Sequence, residues 1–420
     1  MKKLLALLLC AIMILPAFAV ADDVTEIELW TYNIGDWANK EVVEGLLASF
    51  HEAHPEIKVK VEYIDYQTGD DQVTGAIEGH TTPDLIFEGP EHLVANWGAK
   101  GKMVALNDLF EEEKAKEIYE GVASSCKGTD GNYYEYPLCM TTHCMVINKK
   151  AFEAADAMQY IDEETRTWTT EGFEAACRAL TETGFTPVTG IVYCGNQGGD
   201  QGTRAFVYNL YSGRFTDENL NYTMNSEENI KGLQKMYDMV KVEGILADDA
   251  GIVASDAISY FCNGTAAMCF CWNAALATNN KDNYAENVEP YEVAFPSDDG
   301  VPVLDGGIWG FGIFDNGDEA RAAAAKEFIR FMCNDDAQAA KCVYATGYFP
   351  VRALGDVYTG TEKEANASFD RFSPYFGGYY QIAPNWAVQR TAWWNLLQRI
   401  FQTGNVADEV AVYMAEATAQ

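Results

Sequence analysis

Between residues 24 and 89 the chain switches repeatedly between period-two and helical patterning, and that switching narrows its possible folds more than any other feature. "EIELWTY" reads as a strand, and "NKEVVEGLLASFHEAHP" sets Val42, Val43, Leu46, Leu47 and Phe50 on one helical stripe before Pro55 stops it. "IKVKVEYI" alternates with period two, and "PDLIFEG" is a short apolar strand opened by Pro83. Strand, helix, strand, helix, strand is the beginning of an open parallel sheet, which places the chain in the α/β class. Such sheets bind ligands in the crevice outside the C-terminal ends of their strands. In "ELWTYNIGDW", Trp30, Tyr32 and Trp37 gather at that mouth, where a ligand would meet them.

The alternation continues. "NYYEYPLCMTTHCMVINKKAFEAA" runs from an aromatic turn through a strand into a helix, and "TWTTEGFEAACRAL" offers Thr169 and Thr170 as helix caps. "GTAAMCFCWNAAL" is an apolar strand ending in Trp272 and Asn273, "DGGIWGFGIF" is Gly-rich with strand-like flanks, and "DEARAAAAKEFIRFMC" has strong helix propensity. No repeat at solenoid period and no linker-like tract interrupts the pattern. With 420 residues the chain has two or three domains' worth of core, so two lobes joined by ordered crossings are expected.

The N-terminus reads as a secretory leader: two lysines, an apolar run from Leu4 to Leu15, then Pro16 and the small-residue pattern Ala17 to Ala21. Residues 1–21 are assigned to it, with cleavage after Ala19 or Ala21, and the run is shorter than the ~20 residues of a spanning helix. Cys10 follows Leu9, where a lipid-anchor cysteine wants a small residue, so the mature protein is expected to be soluble and periplasmic, extracellular or at the cell surface. The formal net charge of −34 repels nucleic acid and anionic lipid headgroups, and nucleic acid is excluded as a partner. Ten of the eleven cysteines follow the leader, many within apolar runs such as "AACRAL", "MCFCW" and "RFMCN". They read as reduced, buried thiols in an anaerobic setting rather than as disulfides. None has the paired C-x2-C spacing of a zinc site, and neither metal nor cofactor is expected.

Catalytic signatures are missing. His51 and His54 are spaced i, i+3, unlike the H-E-x-x-H zinc pattern, and there is no G-x-S-x-G elbow, P-loop or dinucleotide fingerprint. Among 63 acidic residues some pair suited to glycoside hydrolysis can always be found, so acid count carries no weight. Binding chemistry is better represented. Trp30, Trp272, Trp309 and Trp386 each fall at a strand end or in a loop beside Gly, Asn or Pro. Singly, each could cap the edge of a core. As a set they offer aromatic faces for sugar rings, with neighbouring Asn, Asp, Glu and Thr for the hydroxyls.

Taken in order, "IELWTY", "FHEAHPEIKVKVEYI", "TTPDLIFEGPEHL", "DGNYYEYPLCMTTHCMVINKKAFE", "TWTTEGFEAA", "FCNGTAAMCFCW", "GGIWGFGIF", "AAAAKEFIRFM" and "GYFPVR" resemble the family 1 extracellular solute-binding proteins. These are the carbohydrate-binding components of ABC importers and include the maltose-binding proteins. The resemblance implies a monomeric, non-enzymatic receptor of the periplasmic-binding-protein type II fold: two interrupted α/β lobes around a ligand cleft. It implies a first lobe of residues 22–135 and 274–325 and a second of 136–273 and 326–420, with crossings near Tyr134 to Pro137, just after Trp272, and in or near the Ala322 to Arg330 helix. It implies ligand contacts from Trp30, Asn33, Glu88, Glu91, Thr141, Trp272 and Trp386, to which the aromatic set adds Trp309 and the strand end Asn273, and a membrane permease as partner. An oligosaccharide is the implied ligand. Glu88 departs from the pattern, since an acid there favours a hydroxyl contact over stacking. A polyamine or a phosphorylated polyol on the same fold stays open, the latter through Arg204 and Arg390, and a secreted glycoside hydrolase is the reading from another class.

Overall fold

A computed structural model describes residues 24–65, 68–196, 199–249, 251–377 and 379–418; the leader expected over residues 1–21 lies outside them. In chain order the strands are β1 (Thr25–Tyr32), β2 (Ile57–Ile64), β3 (Leu85–Glu88), β4 (Tyr136–Thr142), β5 (Cys144–Asn148) and β6 (Ile191–Tyr193). They continue as β7 (Ala247–Asp249), β8 (Met268–Trp272), β9 (Pro290–Val293), β10 (Gly306–Ile313) and β11 (Phe349–Pro350). One sheet has the order β11-β4-β10-β3-β1-β2, a second β8-β5-β9, and β6 pairs with β7.

The opening pattern folds as its periodicities require. β1 pairs in parallel with β2 and β3, and the helix Lys40–Ala53 crosses between β1 and β2. Asn39 caps that helix by accepting from the backbone N–H of Glu41 at 2.9 Å, and Val43, Leu46, Leu47 and Phe50 are its buried stripe. β10, more than 200 residues downstream, inserts antiparallel between β3 and β4. Its neighbours are therefore remote in sequence.

The pairings move every crossing later than expected. β4 belongs to the first sheet and not to the second lobe, because Pro137 does not end it. Pro137 sits opposite Gly310 at a bulge, a place where a strand tolerates the missing N–H. The first crossing is therefore His143, the single residue between β4 and β5. β9 pairs with β5, so the second crossing is 294–305 rather than the stretch after Trp272. The helices Glu319–Ile329 and Asp336–Thr346 pack on the first sheet. Phe328 meets Phe50 and Phe311 edge-on at 5.2 and 5.3 Å, and Trp37 donates to the Cys342 carbonyl at 3.2 Å. The third crossing falls between Lys363, paired with Asp36 at 2.9 Å, and Arg371, which donates to the Glu164 carbonyl at 3.1 Å.

All ten cysteines from Cys126 to Cys342 are buried and none is in a disulfide, and burial pushes the Cys262 and Cys271 thiols up to about 11. Among the described residues no helix is long and apolar enough to cross a membrane.

Candidate functional site

The C-terminal edge of the first sheet is set by register. β3 ends at Glu88, opposite Gly310, and β10 extends past it toward its own start at Gly306, which faces Thr142 at the end of β4. Asn33 follows β1 on the same edge, exposed to solvent. Tyr348 lies just before β11, whose Phe349 pairs with Met140. Across His143 the second sheet presents Cys144 at the start of β5 and Trp272 at the end of β8, directly paired. Two sheet edges thus face each other across the crossings, as an interlobe cleft requires.

Several expected residues gather on the first edge. Glu88, Glu91, Thr141, Trp309 and Asn33 all belong to it. The Trp309 and Tyr348 rings stack at 4.5 Å with planes 9° apart, both partly exposed. Thr141 is held by its backbone: a Cβ on Gly306 would lie 1.7 Å from its carbonyl oxygen, so β4 and β10 approach as closely as they do only because residue 306 is glycine.

Others have structural employment. Trp30 sits within β1, only 8% exposed, and its indole N–H donates to Glu28 of the same strand at 3.0 Å. Trp272 reaches the cleft edge, but it is 1% exposed and edge-on to Phe261 at 5.6 Å, so in this conformation it offers no open face for stacking. Asn273 caps the helix Ala274–Asn280, accepting from the Leu276 N–H at 2.8 Å. Trp386 opens the helix Trp386–Thr403 with the Arg204 guanidinium 4.8 Å from its ring centroid.

Two clusters were not anticipated. The first joins acids at the end of β3. Glu88 pairs with His92 at 3.2 Å, and His92 also meets Asp70 at 3.4 Å, with Trp97 stacked on it at 5.2 Å. Burial opposes a charge on His92, but the hydrogen bond and charge of Glu88 outweigh it and hold its pKa above the ordinary value. Glu91, partly buried, accepts from the Tyr379 hydroxyl at 2.6 Å, and desolvation still raises its pKa. Glu135 is 0% exposed and neither of its oxygens has a partner. Burial first, then the charges of Glu91 and Glu88, push its pKa well above the carboxylate range. In "NYYEYPL" an acid among tyrosines reads as an ordinary strand residue, and only the fold shows it enclosed.

The second cluster ties the first two crossings together. The His143 N–H donates to the Asp305 carbonyl at 2.8 Å, and the Tyr380 hydroxyl donates to the Asp305 carboxylate. Arg204 pairs with Asp200 at 2.6 Å and donates to the Tyr380 oxygen at 3.2 Å, and Arg390 lies 3.4 Å from Asp200. Burial lowers the pKa of His143 and raises that of Asp305.

Two lobes joined by three crossings, with facing sheet edges between them, define a solute receptor. The chain belongs to the family described as bacterial extracellular solute-binding proteins, whose model matches residues 45–367. It is thus a binding protein and not an enzyme. No curated protein matches it. Among solved structures it is similar to the sugar-binding protein MalE from Xanthomonas citri, at 16% identity over 94% of this chain and 96% of that one, with a TM-score of 0.75. It is similar also to the cyclic alpha-maltosyl-1,6-maltose binding protein from Arthrobacter globiformis, at 18% identity over 94% and 98%, TM-score 0.70. UgpB from Mycobacterium tuberculosis, in complex with glycerophosphocholine, matches at 17% identity over 93% and 97%, TM-score 0.63. At these identities the likeness is one of fold.

Proposed function

We propose that the chain captures a carbohydrate between its lobes and delivers it, as an exported monomer, to the membrane permease of an ABC importer. The observation that carries this reading is the stacked Trp309–Tyr348 pair on the sheet edge that also bears Glu88, Glu91 and Thr141. Flat rings beside hydroxyl-seeking groups suit the two faces of a sugar. The sugar-binding descriptions of the Xanthomonas and Arthrobacter proteins support it. A phosphorylated polyol is disfavoured, because the Arg204 guanidinium is already engaged by Asp200 and buried with it.

Calorimetry of the purified mature chain against a panel of neutral and amino-substituted oligosaccharides tests the ligand class. Micromolar or tighter binding of at least one sugar is expected, with no shorter sugar released over hours of incubation. Failure of every sugar to bind while a non-sugar solute does would sink the carbohydrate reading.

A further inference from the structure

Glu88, Glu91 and Glu135 converge where two glycines make room for them. Gly310 lies opposite Glu88, and a Cβ there would meet the Glu135 Cγ at 2.8 Å. A Cβ on Gly89 would meet a Glu91 carboxylate oxygen at 2.8 Å. The charges of Glu88 and Glu91 both bear on Glu135, and that of Glu88 bears on Glu91. Among the described residues no lysine or arginine is paired with Glu91 or Glu135. The neighbouring base, His92, is already shared between Glu88 and Asp70.

Such a group of acids is out of balance in a dry place. Protonating Glu135 removes its charge but not its hydrogen-bonding demand: a neutral carboxyl gains an O–H that needs an acceptor, and neither oxygen of Glu135 has a protein partner. A group that answers both demands is a cation with several donors. A primary ammonium has one charge and three N–H bonds and can bridge carboxylates that converge from different strands.

The Tyr379 hydroxyl, which holds Glu91, comes from the segment just after the third crossing, on the second lobe. The next residue, Tyr380, is anchored to Asp305 of the second crossing and to Arg204. The acids are therefore covered from the interlobe side, the side a ligand enters when the lobes part.

We propose that the cleft takes a ligand bearing a protonated primary amine, seated among Glu88, Glu91 and Glu135. The amine requirement follows from the acids alone. That the amine is carried by a sugar rests on the carbohydrate reading above.

Calorimetry on the full mature chain at neutral pH uses four probes: a glucosamine trisaccharide, its N-acetylated form, cellotriose and spermidine. Acetylation removes the charge while keeping the ring. The glucosamine probe is expected to bind about tenfold or more tighter than its acetylated form, as loss of a charged hydrogen bond implies. Glu91→Gln, with its fold checked by circular dichroism, should shrink that ratio to within about threefold, since its charge is gone. Glu135→Gln provides the same comparison at the enclosed acid. Equal affinity for the acetylated and free-amine sugars overturns the inference and leaves the carbohydrate reading standing. Binding of spermidine with no sugar bound upholds the amine and removes the sugar. If no amine-bearing probe binds, the inference is wrong.

Discussion

Glu135 illustrates how a single side chain can be set against the fold that contains it. Its pKa is raised above the ordinary 4.5 by burial and by two neighbouring acids, so the folded state prefers it protonated. The stabilising preference is fully present below the unfolded value and is lost as pH rises toward the folded one. Glu135→Gln removes that titration while keeping the shape. The variant is expected to be more stable than the parent at pH 8, with the gap closing toward pH 4. Denaturant unfolding across that range measures it, and parallel pH profiles for the two proteins would refute it. The same change should lose the amine preference proposed above, so stability and binding would move in opposite directions. Trp272 makes the converse case. The sequence shows a tryptophan at a strand end, but whether its ring faces ligand or core depends on Phe261, which packs against it from the helix Ala254–Cys262. Trp272→Ala is expected to cost about 3–5 kcal/mol of stability, as buried aromatic truncations do. A folded variant with unchanged stability would show the ring to be free of the core. Trp309, by contrast, keeps an aromatic partner and solvent access, which sequence could suggest but not decide.

At the scale of elements, strands and helices were legible wherever a period was sustained, and their partners were not. "DGGIWGFGIF" shows itself as a Gly-rich strand, yet nothing in its letters says that it enters between β3 and β4. The lobe boundaries went astray for the same reason. Helices near residues 319–346 were readable from propensity, while the sheet they cover is settled by contacts such as that of Phe328 with Phe50. The resemblance points to the acids at the end of β3, but Glu135 joins them only through the β4–β10–β3 pairing. Close approach of β4 and β10 gives a test at this scale. Gly306→Ala puts a methyl group 1.7 Å from the Thr141 carbonyl oxygen, and neither strand has a flexible side chain to yield there. A loss of about 2–3 kcal/mol in unfolding free energy is expected, from overpacking of backbone against backbone. Near-parental stability would mean the strands can separate at that point.

The whole molecule turns on what holds its lobes together. The His143–Asp305 backbone bond ties two crossings into one strip, and Tyr380 binds that strip to Arg204 of the second lobe. Tyr379, the adjacent residue, reaches the other way and donates to Glu91 of the first lobe at 2.6 Å. One short segment therefore grips both lobes, and the Tyr379 hydroxyl is a contact that opening must break. A net hydrogen bond is worth roughly 0.5–1.5 kcal/mol, a shift of about 2- to 12-fold in the ratio of closed to open molecules. Ligand can add only its differential affinity for the closed form. Tyr379→Phe keeps the ring and removes the donor. Small-angle scattering of the ligand-free variant is expected to give a larger radius of gyration than the parent, and saturating ligand should return both proteins to the same compact value. If the ligand-free variant scatters as the parent does, Tyr379 does not restrain the lobes. If a tight ligand leaves even the parent's profile unchanged, closure of the cleft is not how this chain holds its solute.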